Sequence, residues 1–462
     1  VVTYRCAHGF AATLLILLAA GGWSRAVPAA SSVRRHVAEA ERHLDFYARL
    51  GQADDLRQAI AHAERALAES PGRVEAELAL YAALSAELEE WKGEAELIRR
   101  IEQLHGSIVA QRPDLGDEIA PPGLVAARSF WNRRLDLDGE ARLQLEDAAI
   151  AAATAAAHLL PDYAPVHWFL VSALEERGRY EEAVGAIGEV LRLEPGSGRA
   201  YAKLGEIQAT RIATGSQCGH PPALDQALRA YRRAVALAPD LAEGHAGLSD
   251  ALGRAGHHEL AVFEARQALR LDGGDGEAAA RRRLAAALGR AGRPGEGLEV
   301  LRDLLARAPG DAAAHGLAGV LHLLDGDAAQ AVESFDAYLT LAPWPSGELM
   351  AIRDVALREM GRAEQANLPP ATRTAPRGCV AAVLRYQRGE IGAAALTGDC
   401  ASGCDPAAAQ LAIGHRALLD GDAAAAGEHF RDALRTGDEW SWVSALARAR
   451  LARLGPGETG TR

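Results

Sequence analysis

The chain has 462 residues, enough for two or three ordinary domains or for one long repeat array. Aromatic residues make up only 5% and alanine is very abundant, a supply that favours helices, and no alternating, strand-like run of useful length occurs. The formal net charge of −12, with lysine nearly missing and arginine carrying the positive charge, argues against nucleic acid, which wants clustered cations to displace its counterions.

In chain order, the first feature is "FAATLLILLAA", Phe10 to Ala20, an apolar run behind Arg5. It has signal-peptide length and falls short of the roughly 20 apolar residues that span a bilayer. Small residues offer cleavage after Ala26 or after Ala29, and no cysteine follows the apolar core as in a lipoprotein signal. Residues 1–29 are therefore expected to be an export signal, with the bacterial periplasm as destination. An uncleaved N-terminal anchor is the alternative.

Residues 30–161 read as irregular helices. Ala40–Arg73 places Ala59, Ala63, Ala66 and Pro71 at spacings that return later, whereas Val74–Pro161 is helical with aberrant spacing and a break at "EIAPPGL". Residues 162–345 are far more regular. In Ala164–Ser197 a bulky His167-Trp168 opens a first helix, Leu170 and Leu174 follow on its inner face, and Gly178 stands at a corner. A second helix carries Ala183, Ile187 and Val190 before Pro195 stops it. Small Ala183 lets the two helices approach, glycine tolerates the corner, and proline ends the unit. The pattern returns over Gly198–Asp240, Ala242–Asp275, Ala278–Asp311 and Ala312–Pro345, a period of about 34 residues. The Gly198 copy is interrupted at its corner by "TGSQCGHPPALD", read as an extra loop of about ten residues.

Residues 346–378 read as a helix and a proline-rich connector, "ANLPPATRTAPRG". In 379–462 a weaker copy, Ala407–Gly437, carries Gly414, Gly421, Ala426, Phe430 and Ala433. "EWSWVSALARARLARLG" follows as a capping helix whose outer face meets water.

At these residues the chain resembles a tetratricopeptide repeat (TPR) protein, with five clear units and degenerate ones on both sides. The resemblance implies an all-α, right-handed superhelical solenoid of about ten antiparallel helix pairs, whose first helices line a concave, protein-binding groove. It also implies which side chains face inward: Trp168, Ser172 and Glu175, then Glu206, then Asp250 and Arg254, then Arg282 and Arg290. Such a groove is acidic and aromatic at one end and carries arginine further along. Arg254, Arg282 and Arg290 either meet acidic side chains of a partner or form a solvated basic strip. The lysine and asparagine with which some family members grip a terminal carboxylate are not matched here.

Beyond the signal, four cysteines remain: Cys218, Cys379, Cys400 and Cys404. In an oxidising compartment the expectation is a clip between Cys400 and Cys404, or one of these paired with Cys379. Cys-x-x-x-Cys in a turn is poor evidence for redox chemistry, and neither Cys218 with His220 nor Cys400, Cys404 and His415 has convincing metal-site spacing. No nucleophile-elbow, zinc-protease or phosphate-loop motif occurs, so no catalytic residue, metal or cofactor is expected. The reading is a non-enzymatic, exported scaffold for protein partners in an envelope, secretion or transport assembly. The alternatives are a small-ligand-binding accessory of a transporter, using the Trp168 end of the groove, and an enzyme whose site lies within 74–161.

Overall fold

A computed structural model describes residues 32–90, 94–112, 115, 120–214, 222–272, 274, 276–343, 346–365, 378–401, 405–437 and 441–458. The expected export signal, Cys218, Cys404 and most of the proline-rich connector lie outside the described residues.

The regular structure among them is helical, and the chain divides into two compact units between Leu193 and Glu194. The first unit runs through α1 (Ser32–Leu50), α2 (Ala53–Glu69), α3 (Val74–Glu90), α4 (Glu94–Gln111), α5 (Pro122–Arg133), α6 (Gly139–Leu159), α7 (Ala164–Glu176) and α8 (Tyr180–Leu193). Successive helices pack as pairs. The irregular spacing within 74–161 has a visible cause: α3 lies against both α4 and α5. Tyr81 of α3 donates to the carbonyl of Ala120, and Ser129 Oγ of α5 donates to the carbonyl of Leu88 at 2.5 Å.

The second unit repeats the pairing in α9 (Gly198–Thr214) with α10 (Pro222–Leu237), α11 (Ala242–Arg254) with α12 (His258–Leu271), α13 (Glu277–Arg290) with α14 (Pro294–Arg307), and α15 (Ala312–Asp325) with α16 (Ala328–Leu341). There follow α17 (Gly347–Glu359), α18 (Gly378–Gln387), a short α19 (Ala393–Asp399), α20 (Asp405–Leu419), α21 (Ala423–Thr436) and α22 (Trp442–Glu458). The first helices α9, α11, α13, α15 and α17 touch one another in series, so their faces form one continuous strip. The architecture is thus an all-α solenoid of stacked helix pairs.

The corners and seams form as the repeat pattern dictates. Gly292 and Gly326 have φ of 76° and 98°, backbone that glycine adopts without penalty. The next residue then reaches back: Arg293 N donates to Leu288 O, and Asp327 N to His322 O, each at 2.9 Å. Within a pair, an aromatic ring of the second helix lies flat on a glycine of the first. A Cβ at Gly319 would stand 2.7 Å from the Phe335 ring; at Gly414, 2.7 Å from Phe430; at Gly205, 2.8 Å from Tyr231. The first two pairs have the same sequence separation, whereas Gly205 and Tyr231 are ten residues further apart, which places the insertion between them.

That insertion is less loop-like than its composition suggests. Pro222 to Asp225, expected in the loop, already belong to α10, and α9 continues to Thr214. Proline at a helix start loses no hydrogen bond, and Asp225 in the first turn suits the helix dipole. A disulfide joins Cys379 to Cys400, Cα atoms 4.7 Å apart, across α18 and α19. Leu396, Ala409 and Ile413 pack around it.

Candidate partner-binding surface

The side chains expected to face inward are divided between the units. On α7, Trp168 and Glu175 are half-buried and Ser172 is exposed. In the second unit, Glu206 of α9 is exposed and takes a 2.5 Å bond from Lys203, one turn earlier. Asp250 of α11 accepts from Arg283 Nε at 3.1 Å, linking α11 to α13, and Arg254 is half-buried. Arg282 pairs with Asp311, the residue whose side chain caps α15 at Ala314 N. Arg290 is buried, its guanidinium 3.8 Å over the Trp442 ring. Arg282 and Arg290 of the expected basic strip are therefore engaged within the chain.

The Trp442 contact belongs to a larger arrangement. Helix α22 packs on α21, and it also touches α20, α15 and α13. Arg453 Nη2 donates to Leu324 O at 2.5 Å, satisfying a carbonyl in the last turn of α15. Arg450 pairs with Glu359 at the end of α17, and His415 Nδ1 of α20 stands 3.6 Å from the same carboxylate. These three side chains are largely enclosed. Burial pushes His415 down to about 3, with the Arg450 charge adding to the effect. Burial pushes Glu359 up, opposed by Arg450, and pushes Arg450 down, opposed by Glu359.

Beside α22 lies a cleft of about 900 Å³. Its walls are the α11–α12 corner at His257 and His258, the end of α13, the end of α15, and the Ala445, Ala449 and Ala452 face of α22. The size falls within the range of small-ligand sites.

In the first unit the structure adds a charged knot that the sequence reading missed. Glu146 of α6, only 4% exposed, is met by Arg142 Nε at 2.9 Å, Arg134 Nε at 3.4 Å and Arg177 Nε at 3.6 Å. Arg134 also pairs with Glu176 and lies 3.9 Å over the Trp131 ring. Only Arg142 and Glu146, one helical turn apart, carry a signal in the sequence. A second missed cluster joins α1 to α2, with His36 Nδ1 and His62 Nδ1 3.0 Å apart and His43 Nδ1 2.9 Å from Asp55. Among the described residues no three such side chains converge as a metal ion requires, and no helix is long and apolar enough to cross a membrane.

Residues 282–347 match the family model of the tetratricopeptide repeat. No curated protein matches the sequence. Among solved structures, a tetratricopeptide repeat protein from Parabacteroides merdae is 14% identical, over 52% of this chain and 89% of that one, with a TM-score of 0.42. PilW, a widely conserved type IV pilus biogenesis factor, is 19% identical over 44% and 88%, with a TM-score of 0.39. YrrB, a TPR protein with an unusual peptide-binding site, is 19% identical over 46% and 98%, with a TM-score of 0.35.

Proposed function

We propose that this chain, a tetratricopeptide repeat protein, is a non-catalytic scaffold that holds another protein against the first helices of its repeats. The observation that carries the reading is the continuous strip formed by α9, α11, α13, α15 and α17. Such a strip suits an extended segment or a helix, gripped at several points along its length. Glu206, exposed on α9, with Asp250 and Arg254 on α11, supplies the charged contacts. Trp168, Ser172 and Glu175 of α7 supply further contacts in the first unit.

The scaffold works in an exported setting, as part of an envelope, secretion or transport assembly. The apolar run at Phe10–Ala20 and the Cys379–Cys400 disulfide support this, since disulfides persist in oxidising compartments. Crosslinked capture from the native envelope fraction tests the reading, with Glu206→Arg as the control. A protein retained by the wild type and lost with a folded Glu206→Arg variant is the expected result. No specific partner from that fraction would count against it.

The cleft of about 900 Å³ beside α22 favours a second reading, a small-ligand-binding accessory protein. Native mass spectrometry separates the two, because a retained small molecule without a protein partner belongs to the second.

A further inference from the structure

In a stack of helix pairs each pair contacts its neighbours alone. Helix α22 departs from this rule, since beyond α20 and α21 it reaches α15 and α13, and the Arg453–Leu324 bond links residues 129 positions apart. It lies on the very faces that the proposed function assigns to a partner.

Its chemistry identifies what that surface accepts. Between Trp442 and Leu454 the helix has arginines at 448, 450 and 453 and no carboxylate. The surface offers the Arg290 guanidinium to an aromatic ring, the Leu324 carbonyl to one cation and Glu359 to another. The fit is nevertheless incomplete. Ala445, Ala449 and Ala452, spaced four and three residues apart, share one helix face and line the cleft. Ala445 is buried, but the methyl groups of half-buried Ala449 and exposed Ala452 leave that volume open, where larger apolar side chains would bury more surface.

We infer that the α13–α15 face is a receptor for a basic amphipathic helix, that α22 fills it within the isolated chain, and that a partner's helix takes its place. This rests on the scaffold reading and names the partner's chemistry. The incoming helix carries an aromatic residue at its start, arginines toward its end, and leucine-sized residues where α22 has Ala449 and Ala452. Because α22 competes, the partner's apparent affinity is reduced by the fraction of chains in which the face is closed.

The test uses the full chain and two synthetic peptides of residues 441–454, one native and one carrying Ala449→Leu and Ala452→Leu. The leucine peptide is expected to bind about tenfold more tightly than the native one, and binding is expected to speed amide exchange across α22 of the chain. A Trp442→Ala chain, its cis helix loosened, is expected to bind either peptide about tenfold more tightly than wild type. Should that variant fail to fold, the exchange readout on the wild type still decides. No binding of either peptide, or binding that leaves α22 exchange unchanged, overturns the inference. The scaffold reading stands or falls separately, on the Glu206→Arg capture, because Glu206 lies on α9 and not on α13 or α15.

Discussion

The guanidinium of Arg453 donates to the carbonyl of Leu324, tying α22 to the last turn of α15. A charged donor on a main-chain acceptor is worth more than an ordinary hydrogen bond, and its removal leaves that carbonyl without this bond. Arg453→Ala is expected to cost about 2 kcal/mol, with faster amide exchange confined first to α22. Urea unfolding followed by exchange mass spectrometry checks both.

His415 makes stability depend on acidity. Its folded-state value of about 3 lies well below the ordinary value for an unfolded histidine, so between the two the unfolded chain binds a proton that the folded chain refuses. Stability from this residue is present above about pH 6.5 and is lost as the pH falls below that, by up to about 1.4 kcal/mol per pH unit. Glu359, raised by burial, acts in the opposite direction, and the Arg450 charge faces both groups. Comparing wild type with His415→Leu at pH 7, 6 and 5 isolates the histidine: the variant should lose less stability on acidification.

Gly319 and Phe335 define a seam that tolerates no added methyl group. A Cβ there meets ring carbons at 2.7 Å, closer than real contacts allow. Gly319→Ala should therefore destabilise the second unit by about 1–3 kcal/mol. Gly319→Ala combined with Phe335→Leu should recover part of the loss, which thermal denaturation of the two variants would reveal.

The knot around Glu146 predicts a change in the first unit. Removing one member of a buried ion cluster strands the others, at about 3–5 kcal/mol. Glu146→Ala should show this, whereas Glu182→Ala, at a largely exposed pair with Arg179, should cost less than about 1 kcal/mol. The contrast separates a buried network from surface charge, and chemical denaturation reads it directly.

Loss of the Cys379–Cys400 bond frees a loop with a sequence separation of 21. Cys400→Ser is expected to lower stability by about 3 kcal/mol, with α18 and α19 losing exchange protection before the rest. The oxidised wild type under the same conditions is the reference.

The helix pairs were legible because each repeat writes its geometry locally. Gly292 and Gly326 mark corners, and small or aromatic residues mark the seam at fixed offsets. What the sequence did not show depends on contacts between residues far apart. Nothing in the spacing of Arg290 or Arg453 announces Trp442 or Leu324 as its neighbour. The same holds for Arg134 with Glu146 and Glu176, which come together only once α5, α6 and α7 have packed. The insertion before α10 reads as loop for a different reason. Proline and glycine favour loops, but proline also starts helices, and Pro222 does so here.

The crossing of α22 onto α13 and α15 also alters how the second unit responds to mechanical load. An open stack pulled from its end peels away pair by pair, because each interface carries load only after its outer neighbour has gone. Here α22 is fastened to an inner pair as well as to α21. Tension on α22 is therefore shared between α21 and α15, and these pairs should yield together in one larger step. A scaffold fastened in this way resists unravelling from its end while a partner strains against it.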